Sequence, residues 1–373
     1  MRLLVTGGAG FIGSHYVRAV LGSGYPGSAA ARVSVLDKLT YAGNLANLES
    51  VADDPRFTFI QGDICDTALL ARIVPGHDAV LNFAAESHVD RSIAGAADFV
   101  ASNVAGVHAV AQACLDGGVR RLVQVSTDEV YGSVASGSWA EDAPLSPNSP
   151  YSAAKAGGDL IALAYARTHG LDVRITRCCN NYGPYQYPEK LIPLFVTSLL
   201  DGLRVPLYGD GGNARGWIHV DDHCRGIQLV LSRGERGKVY HINGDVELTN
   251  IQLTRALLKH CGAGWDMVAR VEDRKGHDRR YCIDDSALRA LGYAPRTSFS
   301  AGLAATVQWY RDNRGWWEPL KRPPDGPAGP GGPAGPGGPA GPSGEAGSGP
   351  GAGVTGPARG DEALTASSTG HAG

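Results

Sequence analysis

Tyr151 and Lys155 stand four residues apart in the segment Pro150-Tyr-Ser-Ala-Ala-Lys. In a helix that spacing puts both side chains on one face. A phenol titrates near ~10 and is a poor base at neutral pH. A close ammonium and any further cation at the ring favour the phenolate and lower that value. The pair is therefore a candidate for moving a proton off a hydroxyl as hydride leaves. A second cluster, Ser126-Thr127-Asp128-Glu129-Val130-Tyr131, sets two carboxyls side by side. Such neighbours can titrate apart, one neutral as an acid and one ionised as a base. Strict strand alternation would point them to opposite faces. Both can face one substrate only if the strand has ended by Asp128; a solvated turn is the alternative.

A third group could hold the hydride carrier. Arg2–Thr6 reads as a strand, followed by Gly7-Gly8-Ala9-Gly10-Phe11-Ile12-Gly13 and a helical pattern. Glycines permit the tight turn and the close approach of backbone to a pyrophosphate, and the helix N-terminus favours negative charge. Asp37 closes the next strand, where a carboxylate binds the adenosine ribose hydroxyls and repels a 2′-phosphate. This predicts NAD over NADP, a preference that Lys38 softens slightly. Asp63 and Ile64, ending the third strand, are placed to flank the adenine. After such a fingerprint, Tyr-x-x-x-Lys is the expected hydride-transfer pair.

The elements that must position these groups alternate. Arg2–Thr6, Arg32–Asp37, Phe57–Gln61, Ala79–Ala85, Arg121–Thr127 and Asp172–Arg177 read as strands, with helical segments such as Phe11–Leu21 and Asp98–Leu115 between them. This predicts an α/β fold, a Rossmann-type doubly wound parallel sheet with ligands outside the carboxyl ends of its strands. Beyond Arg177 the alternation loosens into short strands and helices (Lys190–Leu200, Ile251–Cys261, Ala301–Asn313), suggesting a smaller mixed α/β substrate-binding domain. The expected division is 1–177 for the dinucleotide, with 216–242 returning to it, and 178–215 plus 243–321 for the substrate. From Arg322 to Gly373 the composition turns Gly/Pro-rich, with glycine at every third position from Gly326 to Gly347. The period fails at Pro350, so a disordered tail is expected rather than a collagen-like helix.

The chain has 373 residues and a formal charge of −3, which gives no reason to expect nucleic-acid or membrane binding. The seven scattered cysteines form no C-x-x-C pair and read as reduced buried thiols. No apolar run reaches a membrane span, and strand-forming residues begin at Arg2; a cytoplasmic protein is expected. His15, His88 and His277 read as hydrogen-bonded structural residues, and no metal site is expected.

Together these residues resemble the extended short-chain dehydrogenases, and within them the dTDP-glucose 4,6-dehydratases, from Met1 to about Arg322. The stretches that carry the resemblance are Thr6–Ser14, Asp37–Asn44, Phe83–Ser92, Thr127–Gly132, Asn180–Pro193 and Gly276–Tyr281. The Asp-Glu pair after Thr127 separates these dehydratases from sugar epimerases of the same fold. The resemblance implies a cycle in which Tyr151, supported by Lys155, deprotonates the glucose 4-hydroxyl as NAD takes the C4 hydride. Glu129 then removes the C5 proton, Asp128 protonates the departing 6-hydroxyl, and Thr127 holds the 4-oxygen. It also implies that Lys38, Leu39 and Thr40 lie near the ribose, Ala84, Ala85 and Ser102 along the dinucleotide, and Asn181 by the nicotinamide. For the nucleotide sugar it implies Ser87, Asn180, Lys190, Leu191, Pro206, Tyr208, Arg215, Asn250, Arg274 and His277. Arg215 and Arg274 suit a diphosphate, because guanidinium offers forked donors. A homodimer is implied as well, through a four-helix bundle built from Asp98–Leu115 and Tyr151–Thr168. The rival readings are a 4-epimerase, a 4,6-dehydratase of another nucleotide sugar, and a non-catalytic scaffold of the same fold. The tail has no counterpart in the family pattern.

Overall fold

The structure, a computed structural model, describes residues 1–273 and 276–321. Arg274 and the Gly/Pro-rich stretch 322–373 lie outside the described residues. The described part belongs to one compact unit, Met1–Pro323.

The first half contains β1 (Arg2–Thr6), β2 (Arg32–Asp37), β3 (Phe57–Gln61), β4 (Ala79–Asn82), β5 (Arg121–Thr127) and β6 (Asp172–Cys178). The second contains β7 (Asn180–Tyr182), β8 (Val205–Tyr208), β9 (Ala214–His219), β10 (Val239–Ile242), β11 (Val246–Thr249) and β12 (Val268–Val271). A parallel sheet of seven strands runs β10-β6-β5-β4-β1-β2-β3. Its central strands are buried on both faces, as helices on both sides require. Along β1, Leu3 and Val5 join one apolar cluster while Leu4 joins the other, the alternation of a pleated strand between two layers. Strand order reverses between β1 and β4, so the crevice outside their carboxyl ends is where a doubly wound sheet takes its ligand.

Two elements depart from expectation by more than a residue or two at an end. The strand expected over Ala79–Ala85 stops at Asn82. The next residues turn aside because Asn103 takes the Glu86 backbone on both sides, its Oδ1 accepting from Glu86 N and its Nδ2 donating to Glu86 O, each at 2.9 Å. The helix expected over Asp98–Leu115 is interrupted by a π-helical turn, Ala101–Ala105, between Ala97–Val100 and Gly106–Asp116. That turn carries Asn103, and it lets Gly106 settle onto Ile64, where a Cβ would lie 2.4 Å from the Ile64 Cδ1.

Helix Pro150–Thr168 starts sharply: Ser149 and Ser152 form a reciprocal capping box and proline occupies the first turn. The second half builds a small sheet β11-β9-β7 and a parallel pair β12-β8, around an apolar cluster that includes Tyr182, Leu253, Tyr310 and Trp317. β10 returns to the large sheet beside β6. The helix Val220–Arg233 that precedes it is fastened there by Arg174, whose Nη1 donates to the Val230 and Leu231 carbonyls at 2.8 Å each.

Candidate active site

The glycine turn closes on the segment just after β4. Gly7 has φ +68°, and a Cβ on it would lie 2.5 Å from the Ala84 nitrogen; a Cβ on Gly13 would lie 2.3 Å from the Gly7 carbonyl oxygen. No larger residue fits either position, and the turn ends at Gly10 as cap of helix Phe11–Leu21. Asp37 is buried, its Oδ2 accepting from Ala9 N at 2.9 Å and its Oδ1 from Leu39 N at 2.8 Å. Burial pushes its carboxyl up, and these two amides oppose the shift. The Lys38 ammonium lies 2.7 Å from Asp63, so its charge is already paired. A cavity of about 340 Å³ runs from this turn past Asp37, Thr40, Asp63, Ile64, Ala84, Ala85 and Ser102 to Thr127, Asp128, Glu129, Tyr151, Lys155, Asn180 and Asn181. Leu39 is the exception among the expected cofactor residues: it is packed against the core beneath. A backbone cradle that admits no Cβ, with a carboxylate at the next strand end, fits a dinucleotide.

The catalytic candidates meet at the far end of this cavity. β5 ends at Thr127, and Asp128–Tyr131 form a 3₁₀ turn, so the condition for two carboxyls serving one space is met. Thr127 Oγ1 accepts from Glu129 N at 3.2 Å, capping the turn. Asp128 is 2% exposed and its Oδ2 has no hydrogen-bond partner among the described residues. Burial and then the Glu129 carboxylate push its pKa up to about 8, against the pull of the Arg215 guanidinium. Asp128 is therefore neutral at pH 7, the state of a proton donor.

Tyr151 and Lys155 share a helix face as expected. Burial, with Glu129 next, raises the Tyr151 phenol, and a hydrogen bond from Thr127 only partly offsets this. Lys155 is buried and donates a hydrogen bond to the Val125 carbonyl at 2.7 Å, while burial lowers its own pKa against the pull of Asp159. The ammonium is thus anchored to the β5 backbone, and the protein's own groups hold the phenol neutral.

A second cavity, about 210 Å³, shares Ser87, Glu129, Asn180, Lys190 and Leu191 with the first and adds Pro206, Tyr208, Arg215, Asn250 and His277. Glu129 therefore sits where the two meet. Lys190 Nζ donates to the Ser87 carbonyl at 2.5 Å. Arg215 is 5% exposed, stacked 4.3 Å over the Tyr281 ring, and donates to the Ala214 and Asp278 carbonyls at 2.7 and 2.8 Å. His277 pairs with Asp273 at 2.6 Å, His15 with Asp221 at 3.2 Å, and His88 caps its helix through Arg91 N.

A family model described as GDP-mannose 4,6 dehydratase matches residues 4–306. The chain belongs to this family. Within this dehydratase family, it is 60% identical over 324 residues to the dTDP-glucose 4,6-dehydratase of Streptomyces niveus, covering 87% of this chain and 96% of that one. The crystal structure of DesIV, a dTDP-glucose 4,6-dehydratase of Streptomyces venezuelae with NAD bound, superposes with TM-score 0.85 at 65% identity, covering 86% of this chain and all of that one (100%). A UDP-glucose 4-epimerase of Thermotoga maritima is more distant, with TM-score 0.77 and 30% identity over 84% of this chain and 100% of that one.

The cavities of this family member also show what sequence reasoning missed. Glu189 and Trp217 line both cavities, and Tyr187, Cys178 and Cys179 line the first. Position alone could have flagged Cys178, which ends β6 as Thr127 ends β5, and Glu189, which precedes Lys190. Nothing in the local sequence marks Trp217.

Proposed function

We infer that this chain converts dTDP-glucose to dTDP-4-keto-6-deoxyglucose, with NAD recycled in place. The observation that carries the reading is a buried, neutral Asp128 beside Glu129 in the same cavity as Tyr151. An acid and a base on one face serve a water elimination; a 4-epimerase has no use for them. When bound, NAD accepts hydride from C4 and returns it to C6, and its nicotinamide charge supplies the pull toward phenolate that the protein's own groups lack. Tyr151 takes the proton of the sugar 4-hydroxyl, while Thr127 holds the 4-oxygen and Lys155 anchors the helix to β5. The 4-ketone acidifies the C5 hydrogen, which Glu129 removes. Asp128 protonates the departing 6-hydroxyl and water leaves. Glu129 then returns a proton to C5. One water is lost and no net redox change occurs.

In this reading residues 1–177 and 216–242 hold the dinucleotide, and 178–215 with 243–321 hold the nucleotide sugar, Arg215 and Asn250 included. The enzyme works in the cytoplasm as a homodimer. Mass spectrometry after separate incubation with dTDP-glucose, UDP-glucose and GDP-mannose tests it. Loss of one water from dTDP-glucose alone is expected. Dehydration of another sugar would move the specificity and keep the mechanism, and no dehydration of any would remove the reading.

A further inference from the structure

The last helix among the described residues, Arg314–Lys321, has no part in the chemistry above, yet two of its groups reach segments that form the cofactor cavity. Trp316 Nε1 donates to Asn47 Oδ1 at 3.0 Å, and Asn47 Nδ2 donates to the Ala9 carbonyl, inside the glycine turn, at 2.8 Å. Asn47 is 2% exposed. Ala9 is held from its other side by Asp37, so the turn is fixed through both its N–H and its C=O. One turn beyond Trp316, the Leu320 carbonyl accepts from the Tyr187 hydroxyl at 3.2 Å, and Tyr187 lines the cavity.

The Trp316 ring is seated against Trp309 and Tyr185, with centroids 5.1 and 5.5 Å away. Tyr185 in turn covers the Arg18 guanidinium at 4.3 Å. Arg18 donates to Ser14 Oγ, next to Gly13, and to the Asn47 carbonyl. Tyr185 has φ +67°. A non-glycine residue holds that conformation only where its surroundings over-determine it.

We propose that helix Arg314–Lys321 is a clasp on the dinucleotide, in which Trp316 acts through Asn47 as a positioning residue for the glycine turn. A phosphate-binding turn is effective when its backbone amides need no reordering on binding. The clasp supplies that order from a helix remote from the turn in sequence. The proposal rests on the NAD-dependent reading given above.

The test uses the full chain stripped of dinucleotide. Trp316→Phe keeps an aromatic ring but leaves the buried Asn47 Oδ1 without its donor. Its NAD dissociation constant, measured by titration calorimetry, rises about tenfold, which corresponds to ~1.4 kcal/mol. Saturating NAD restores kcat, and KM for the nucleotide sugar stays at the parent's value. Asn47→Asp, which still accepts from Trp316 but cannot donate to Ala9, gives the same loss of NAD affinity. Unchanged NAD affinity in both variants overturns the proposal, as does a fall in kcat that saturating NAD does not restore. Failure of the underlying reading looks different, because the parent protein would then neither bind NAD nor dehydrate the sugar.

Discussion

Asp128 shows at the scale of one residue how the site trades stability for chemistry. Its pKa of about 8 lies above the ~3.9 of an unfolded aspartate, so between those values the folded chain holds a proton that the unfolded chain has lost. Stability from this group therefore falls as pH rises through that window, the reverse of a salt-bridged carboxylate. Asp128→Asn removes the ionisation, and a melting series should place the variant level with the parent near pH 4 and several degrees above it at pH 8. The same variant should lose dehydration by about 100-fold or more, as general acids are worth. In the parent, kcat should decline above pH 8 as Asp128 ionises. Glu129→Gln separates the steps: reduced nicotinamide should appear on adding the sugar, without dehydrated product. Full dehydration by that variant would remove Glu129 from the mechanism.

At the scale of elements, one polar chain ties together the pieces that carry catalytic groups. Asp159, one turn after Lys155 on helix Pro150–Thr168, accepts from Arg177 Nε of β6 at 2.9 Å, and the pair is 0% and 2% exposed. Arg177 Nη1 donates to the Tyr131 hydroxyl at 2.5 Å, at the end of the turn that begins with Asp128. His241 of β10 is pushed down to about 4 by burial, so it is neutral. Tyr131 donates to its Nε2 at 2.7 Å, and its Nδ1–H donates to the Asp284 carbonyl at 2.8 Å. Helix, strand and acid-base turn thus share one buried charge pair. Asp159→Asn leaves Arg177 buried without a counter-charge and should cost about 3–5 kcal/mol in urea unfolding. Replacing both, Asp159→Leu with Arg177→Met, should recover most of that loss. A cost below about 1 kcal/mol for the single change would show the pair to be energetically idle.

For the whole molecule, the proposed dimer is the point to test. Ile93, Val100 and Leu160 are 44%, 53% and 56% exposed, on the short helices Val89–Ala94 and Ala97–Val100 and on the long helix Pro150–Thr168. Large apolar side chains left in water on adjoining helices are what a helix-bundle interface covers. Leu160→Glu should sediment at half the parent's mass in analytical ultracentrifugation. A parent that already sediments as a monomer would remove the dimer.

The cofactor turn, Asp37 and the Tyr151–Lys155 face were legible in the sequence because each depends on neighbours within a few residues, whereas the carboxyl pair was legible only as a candidate until β5 was seen to end at Thr127. A strand end, a glycine turn and an i, i+4 spacing place these groups whatever packs around them. Strand alternation was legible for the same reason, and with it the parallel sheet. The tertiary structure alone decided that β4 stops at Asn82, because Asn103 from a later helix claims the Glu86 backbone. It also decided the protonation of Asp128, the further rise of the Tyr151 phenol by burial, the Asp159–Arg177 pair and the reach of Trp316 to Asn47. Each depends on burial and on partners remote in the chain, and the cost of a charge or an unpaired polar group is set by what surrounds it in space.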